Sequence, residues 1–261
     1  MFKIAQGITR FNLSKEHFYK CSIPFPTLPE QQKIASCLSS LDGQISAEQS
    51  RLESLSQHKR GLMQQLFPQE GETVPKLRFP GFEGEWKVKK LGEIAKNQDN
   101  KRKPVSKIER VTGEYPYYGA NGIQDYVNDF IFDGEHLLIG EDGSVANPDG
   151  TPVLNWATGK IWVNNHAHVL SESEKGNLKY IFYALSTVNI QGLVTGIPPK
   201  LNQENLNSIK IPIPTLPEQQ KIASCLTAID DLIAAQQERI EALKQHKRGL
   251  MQQLFPAVAN E

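Results

Sequence analysis

The chain has 261 residues, enough for one large or two small domains, and its 39% hydrophobic content is sufficient for a buried core. Its 29 basic and 29 acidic residues cancel, so net charge indicates neither a nucleic-acid nor a membrane partner. The sequence has no apolar run of about twenty residues and no basic-then-apolar start, so it predicts neither a transmembrane helix nor a signal peptide. We expect a cytoplasmic protein without a membrane partner.

The first predicted element is a long helix over residues 27–67. Thr27 and Glu30 have the spacing of a capping box, in which the threonine hydroxyl and the glutamate carboxylate accept hydrogen bonds from backbone amides of the first turn. The apolar residues that follow are separated by alternating steps of four and three, interrupted only at the polar residues Glu48 and Lys59: Ile34, Leu38, Leu41, Ile45, Leu52, Leu55, Leu62 and Leu66. This spacing is typical of a coiled-coil seam, which needs a partner helix.

A linker and a domain of different character follow this helix. Residues 68–84 are mostly polar with Gly and Pro, which predicts a linker. Residues 85–212 combine short β-branched and aromatic runs with Gly, Asn and Asp breaks, which predicts short strands joined by tight turns, including a hairpin turn at Gly140–Gly143. Helical spacing returns at Leu178–Thr187. We predict a compact mixed α/β domain here.

The last element repeats the first. Ile23–Pro68 aligns with Ile211–Pro256 without a gap, and 34 of 46 positions are identical. We therefore predict a second long helix over residues 213–256, followed by a tail at 257–261. The fold class is α+β, with two long helices that pair as an antiparallel coiled coil within one chain. Pairing between two chains, which would make a homodimer, is the alternative.

Both helices keep a glycine near the end of the repeat, at Gly61 and Gly249. Glycine in a helix interior costs about 1 kcal/mol relative to alanine. Its presence in both copies suggests that something packs close to the backbone there. A partner protein is our hypothesis, and close approach of the two helices is the alternative.

The sequence contains no recognisable catalytic constellation, metal site or cofactor motif. Two histidines, His166 and His168, lie two residues apart, but no third ligand is marked near them. Carboxylate–lysine patterns of metal-dependent nucleases are missing, as are the cofactor and catalytic loops of an adenine methyltransferase. We expect a protein that is not an enzyme by itself.

Several ordered motifs resemble one known family. They are LRFPGFEGEWKVKKLGEI, YPYYGANGI, LLIGEDGSV, WVNNHAHVL and IPIPTLPEQQKIASCL, and the last of them leads into a long helix. Together they resemble the specificity subunit of type I restriction–modification enzymes, over essentially the whole chain. The resemblance implies a target-recognition domain that recognises half of a split sequence in double-stranded DNA, two spacer helices, and docking of methyltransferase and restriction subunits.

The resemblance also implies a domain organisation. A full subunit of this family has two recognition domains, whereas this chain has space for one, at residues 85–212. Residues 27–67 and 213–256 are then the two spacer helices, and residues 1–26 the C-terminal part of a missing first recognition domain. A coiled-coil protein-interaction module without DNA-recognition activity of its own is the alternative function.

Candidate DNA contacts cluster in the central domain. Nine basic and three acidic residues lie between Trp86 and Arg110, and we assign Lys101, Arg102 and Lys103 to backbone phosphates. A solvated surface run is the alternative. Tyr117, Tyr118 and Asn121 flank two glycines in a predicted turn, where Asn121 suits a base edge. Asn164, Asn165 and His166 form a second candidate set, whose alternative is a strand-end turn.

Overall fold

The computed structural model describes residues 15–19, 25–69 and 71–255. Most of the predicted domain remnant at 1–26, and the tail at 257–261, lie outside these ranges. Contacts between Cα atoms divide the chain into two compact units. One is formed by residues 56–231, and the other by residues 1–55 together with 232–261.

Two long helices are present near the predicted bounds. A short α1 (Lys15–Tyr19) precedes α2 (Leu28–Leu66), and α6 (Leu216–Leu254) is the second long helix. Each of the long helices has 39 residues. In the part of the chain that the structure describes, none of the helices combines the length and apolarity needed to cross a lipid bilayer.

The two helices pair in antiparallel orientation. Within the unit formed by 1–55 and 232–261, Lys247 forms an ion pair with Asp42. Further along α2, Glu48 accepts a hydrogen bond of 2.6 Å from Gln236 and forms a 2.7 Å ion pair with Arg239. Residue numbers therefore rise on one helix as they fall on the other. The predicted fold class, with the pair formed within one chain, is confirmed.

Polar residues interrupt the apolar seam, and each of them has a partner on the opposite helix. Glu48 and Gln236 occupy equivalent positions of the repeat and bond to each other. In the unit of residues 56–231, Lys59 lies 2.5 Å from Asp230. This is the repeat equivalent of the pair between Lys247 and Asp42. The interruptions are thus compensated because antiparallel pairing of a repeated sequence brings complementary groups together.

The other α-helices and the strands that the structure describes lie in the unit of residues 56–231. They are β1 (Lys87–Lys90), α3 (Leu91–Ile94), β2 (Lys96–Asn97), β3 (Thr112–Gly119), β4 (Gly122–Val127), β5 (His136–Gly140), β6 (Leu154–Ala157), β7 (Trp162–Val163), β8 (Ala167–Ser171), α4 (Leu178–Leu185), α5 (Gln203–Ser208) and β9 (Lys210–Ile213). The hydrogen-bonded orders are β2-β8-β5-β6, β4-β3-β7 and β1-β9. Only the pairing of β3 with β7 is parallel among these described strands.

Strand β5 lies between two hydrophobic clusters. Leu137 and Ile139 belong to a large cluster that also contains residues of α4 and the adjoining turns of α2 and α6. Leu138 points the other way, into a smaller cluster with Ile161 and Val169. Successive side chains of a strand face opposite sides, so β5 is buried on both faces. It therefore provides a rigid support for the loop that follows it.

The loop after β5 differs from the prediction. The expected hairpin turn at Gly140–Gly143 is wrong, because β5 ends at Gly140 and β6 begins only at Leu154. The intervening segment folds back on itself: Val153 N donates to Val145 O, and Asn147 N donates to Thr151 O. An added Cβ at Gly140 would lie 2.1 Å from the carbonyl oxygen of Ser144. Glycine is thus needed at this position because backbone passes directly over it.

The start of α6 is anchored by an arginine from the predicted linker. Arg78 donates to both carboxylate oxygens of Glu218, at 2.7 and 2.9 Å. The side chain of Glu218 is 1% exposed. Glu218 is the repeat equivalent of Glu30, the predicted capping-box residue, but its carboxylate bonds to Arg78, because a charged guanidinium is the stronger partner for a buried carboxylate.

Candidate nucleic-acid interface

The predicted turn at Asn121 is present, between β3 and β4. Gly119 pairs with Gly122, which has a φ of +97°, a value that favours glycine. Asn121 itself is exposed at the tip of this turn. Its amide is therefore available to a partner.

The two tyrosines before this turn have structural contacts instead. Tyr117 is 1% exposed, and its hydroxyl bonds to the backbone N and O of Val105. The guanidinium of Arg110 stacks 4.1 Å from the centre of its ring. Tyr118 is 9% exposed and belongs to the smaller hydrophobic cluster. Both side chains were predicted to face DNA. In the structure, Tyr117 instead bonds to the backbone of Val105, and Tyr118 packs in the hydrophobic core.

The basic run divides into two exposed lysines and one inward arginine. Lys101 and Lys103 are exposed. Lys103 lies beside β7, where its backbone N donates to Val163 O and its carbonyl accepts from the Trp162 indole. The side chain of Arg102 is only 12% exposed. Its predicted role as a phosphate contact does not match this inward orientation.

The second candidate set divides in the same way. Asn164 is 3% exposed, and its Oδ1 accepts from His166 N at 2.8 Å, which forms the strand-end turn that was the alternative interpretation. Asn165 is exposed. The His166 side chain is 49% exposed, and its Nδ1 bonds to the Asp142 carboxylate. Asn165 and His166 are therefore accessible, whereas Asn164 holds the turn.

A buried ionic network lies beneath these residues, and sequence reasoning did not identify it. Arg102 contacts the carboxylates of Asp99 and Glu141, and Lys200 lies 3.1 Å from Glu141. His168 is 1% exposed, with Nδ1 2.5 Å from Asp99 and Nε2 2.7 Å from the carbonyl oxygen of Leu201. No sequence signal connects these residues, since up to about a hundred positions separate them.

The hydrogen bonds of this network determine its chemistry. Burial by itself raises the pKa of the Asp99 carboxyl, but the hydrogen bond and charge of His168 bring that pKa below its usual range. Asp99, Glu141 and His168 each offer an atom within 4.8 Å of one another, as a metal site would require. However, both ring nitrogens of His168 already face acceptors. We therefore assign these residues to the ionic network and not to a metal centre.

Four connecting segments meet above the network. Asn164 N donates to Tyr118 O, which joins the β7–β8 connection to β3 beside its turn. Gly143 N donates to Pro199 O, which joins the β5–β6 loop to residues 195–200. We use the name loop face for the exposed or half-exposed side chains that these segments present: Asn121, Asn165, His166 and Lys200. Amide, imidazole and ammonium groups are therefore brought together on one rigid support.

The two helix glycines lie in open space. An added Cβ at Gly61 or Gly249 would meet no atom within 4 Å among the described residues. Close approach of the two helices therefore does not explain these glycines. The partner-binding hypothesis stays a prediction.

Comparison with known proteins finds similarity to specificity subunits of type I restriction enzymes. The family model for the type I restriction modification DNA specificity domain matches residues 1–57 and 83–245. A putative type I restriction enzyme specificity subunit from Haemophilus influenzae is 42% identical over 153 residues, which cover 58% of this chain and 39% of that protein. The putative MjaX specificity subunit from Methanocaldococcus jannaschii is 28% identical over 263 residues, covering 96% of this chain and 62% of that protein.

Solved structures share the fold at low identity. The crystal structure of a type I S subunit from M. genitalium matches with a TM-score of 0.66 and 19% identity, covering 98% of this chain and 69% of that one. The HsdS subunit from Thermoanaerobacter tengcongensis matches with a TM-score of 0.54 and 18% identity, covering 96% and 64% of the two chains. The chain thus spans about two fifths to two thirds of the length of these relatives.

Proposed function

Because the chain belongs to the type I restriction modification DNA specificity domain family, we propose that it recognises one half of a split sequence in double-stranded DNA and catalyses no reaction itself. The observation that carries this proposal is the loop face, where two amides, an imidazole and a lysine lie on rigid support. Recognition groups are commonly found on loops held by a rigid scaffold. Such a protein acts where the DNA is, in the cytoplasm.

The contacts divide by chemistry. Lys101, Lys103 and Lys200 are suited to phosphate oxygens, which fix the register of a protein on the duplex without reading its sequence. Asn121 and Asn165 carry amides that match the donor and acceptor pattern of adenine in the major groove. His166 follows Asn165 in the chain and is also exposed. We leave Tyr117, Tyr118 and Asn164 out of the contact set because their side chains are buried.

Selection from random DNA tests the central claim. A pool of duplexes with a randomised central segment is incubated with the chain, alone and with its cognate methyltransferase subunit, and the bound fraction is sequenced. We expect a half-site motif, recovered again when the selection is repeated. Recovery of unenriched sequence in both arms would contradict DNA recognition and favour the alternative, a coiled-coil interaction module.

The phosphate contacts make a separate prediction. Lys101→Ala with Lys103→Ala should weaken binding to the selected duplex and to a scrambled duplex equally. The slope of log affinity against log salt should fall by roughly 1.8, since each phosphate contact contributes about 0.9. The control is Lys87→Ala with Lys90→Ala, which makes the same charge change on β1. This strand pairs only with β9 among the described strands, and not with β7, the strand next to Lys103.

The base contact should respond differently from these lysines. Asn121→Ala should relax preference at one base position, by about 1–3 kcal/mol, with no change of the salt slope. An unchanged salt slope for the variant lacking Lys101 and Lys103 would mean that DNA does not bind next to these lysines. An equal loss of affinity in the β1 control would mean the same.

Partner docking is the second half of the proposal. We infer that methyltransferase and restriction subunits assemble on the paired helices, with Gly61 and Gly249 at the methyltransferase contact. Support comes from the open space at both glycines and from their presence in both copies of the repeat. A homodimer, in which a second copy supplies the other half of the recognition surface, is a further arrangement that sedimentation of the purified chain would test.

A further inference from the structure

We infer that Arg102 is a positioning residue that holds the segments of the loop face together, and that it does not itself contact DNA. This inference rests on the proposed DNA-recognition function and specifies how the recognition surface is kept in place. It also replaces the phosphate contact that the basic run predicts for this residue. The buried contacts of the Arg102 guanidinium support this role.

The guanidinium bridges three separate parts of the chain. Its Nη1 donates to the Glu141 carboxylate, at the start of the β5–β6 loop, and to Ala167 O at 2.8 Å, at the start of β8. Its Nη2 lies 3.4 Å from an Asp99 carboxylate oxygen, and its Nε donates to Asp99 O at 3.2 Å. One side chain thus connects segments that are far apart in sequence.

The partners of Arg102 are in turn bonded to the backbone of the loop face. Glu141 N donates to His166 O, and Leu201 N donates to Glu141 O, each at 2.8 Å. The Asp99 carboxylate accepts from Val169 N at 2.8 Å. The residues that present His166 and Lys200 are therefore the same segments that the network joins. Loss of the guanidinium would leave Glu141 with Lys200 as its remaining cationic partner and would remove one of the contacts of the Asp99 carboxylate.

Burial and charge both disfavour a phosphate contact for Arg102. Its side chain is 12% exposed, and Glu141 and Asp99 are 11% and 7% exposed. A phosphate would have to compete with two carboxylates that already hold the guanidinium. Charged, planar, multidentate pairing of this type gives geometric specificity as well as energy. Arg102 therefore acts on DNA through the loop segments.

The test compares specific with non-specific binding. Affinities for the duplex selected above and for its scrambled version are measured at several salt concentrations with the full chain. Arg102→Ala should lower the ratio of the two affinities by roughly tenfold or more, the effect of one mismatched base pair. The salt slope for the scrambled duplex should stay unchanged. Lys103→Ala should instead lower the salt slope by about 0.9 and leave the ratio of specific to non-specific affinity unchanged.

Two further variants separate positioning from charge and from general stability. Arg102→Met with Glu141→Gln keeps the net charge, and it should lose the same specificity ratio. Arg78→Ala breaks another arginine–glutamate pair of similar burial, since the Arg78 and Glu218 side chains are 15% and 1% exposed. It should destabilise the chain but leave the ratio unchanged. Millimolar guanidinium chloride should restore part of the affinity ratio of Arg102→Ala, because the free guanidinium ion can occupy the site of the missing side chain. Sodium chloride at the same concentration is the control.

Hydrogen exchange tests the inference without DNA. In the free chain, Arg102→Ala should raise amide exchange at Glu141, Val169 and Leu201 by at least tenfold over wild type, whereas Lys103→Ala should not. A wild-type chain that selects no DNA would contradict the proposed function, while the exchange result would still decide the role of Arg102. Unchanged exchange, an unchanged affinity ratio, a lower salt slope for Arg102→Ala, or an equal loss of ratio in Arg78→Ala would each overturn the inference.

Discussion

The Asp99 carboxylate is 7% exposed, yet it remains charged because four groups contact it, one of which is the Asn97 side-chain amide at 3.0 Å. His168 Nδ1 lies 2.5 Å from one oxygen, Val169 N donates to the other, and Arg102 adds a further contact. A buried charge is tolerated only when it is paired and hydrogen-bonded. At the scale of single residues, buried ionic contacts therefore stabilise the region next to the loop face.

Because of the Asp99 carboxylate, the free energy of unfolding should depend on pH in the acid range. The pKa of this group is lowered in the folded chain, by the His168 hydrogen bond and charge against the opposing effect of burial. Its contribution is therefore present above the unfolded pKa of about 3.9 and is lost as pH falls through the lower folded pKa. Asp99→Asn should reduce the free energy of unfolding by about 1–3 kcal/mol at pH 7.

Urea unfolding of wild type and Asp99→Asn at pH 7, 5 and 3 would measure this contribution. We expect the same difference at pH 7 and 5, and a smaller one at pH 3. A difference that stays constant over the whole range would show that Asp99 contributes through packing and not through its charge.

At the scale of the elements, identical sequences of the two long helices lie in different surroundings. Ile222 and Leu226 of α6 are 2% and 0% exposed and belong to the large hydrophobic cluster. Their repeat equivalents, Ile34 and Leu38 of α2, are only half-buried in the coiled-coil seam. The same apolar stripe thus packs against a domain core in one copy and against a single helix in the other.

This difference predicts unequal costs for the same substitution. Leu226→Ala should lower the free energy of unfolding by about 2–5 kcal/mol, because it leaves a cavity in a closely packed core. Leu38→Ala, at the equivalent position, should cost at most about 1 kcal/mol, because less apolar area becomes exposed. Urea titration followed by circular dichroism measures both. Equal costs would mean that position in the repeat matters more than the surroundings.

At the scale of the whole molecule, the paired helices provide surface that the described residues do not cover. Gly61 lies in one unit and Gly249 in the other, and an added Cβ at either would meet no atom within 4 Å among the described residues. Glycine at a helix interior position is about 1 kcal/mol less favourable than alanine. Gly43 also has open space around its Cα, but its repeat equivalent is Asp231, so the repeat does not keep glycine there. The three positions together give a matched set for a test of partner docking.

We predict that Gly61→Leu with Gly249→Leu leaves the free chain folded, or stabilises it by about 1 kcal/mol per site. The same change should weaken the complex with the cognate methyltransferase subunit, because the added side chains occupy space that a close partner backbone would need. Gly43→Leu should not affect that complex. Affinity by calorimetry and melting temperature of each variant are the two measurements. Unaltered affinity of the double variant would contradict this assignment.

The sequence by itself determined the elements whose signals are local or repeated. The heptad spacing and the 34 identities among 46 positions predicted two long helices that pair, and glycine and asparagine at 119–122 predicted a turn. These signals suffice because helix periodicity and turn chemistry depend on neighbouring residues. The family resemblance, carried by ordered motifs along the chain, was likewise available before any coordinates.

Tertiary structure alone decided which candidate side chains are accessible. Arg102 follows one exposed lysine and precedes another, yet it turns inward because Asp99 and Glu141 lie beneath it. Tyr117 is buried because its hydroxyl hydrogen-bonds to the backbone of Val105 and its ring stacks against the Arg110 guanidinium. Partners such as Glu141 and Ala167 are far from Arg102 in sequence, and no local pattern records that folding brings them together. Burial of a polar side chain depends on these distant partners, since only they can compensate the loss of water.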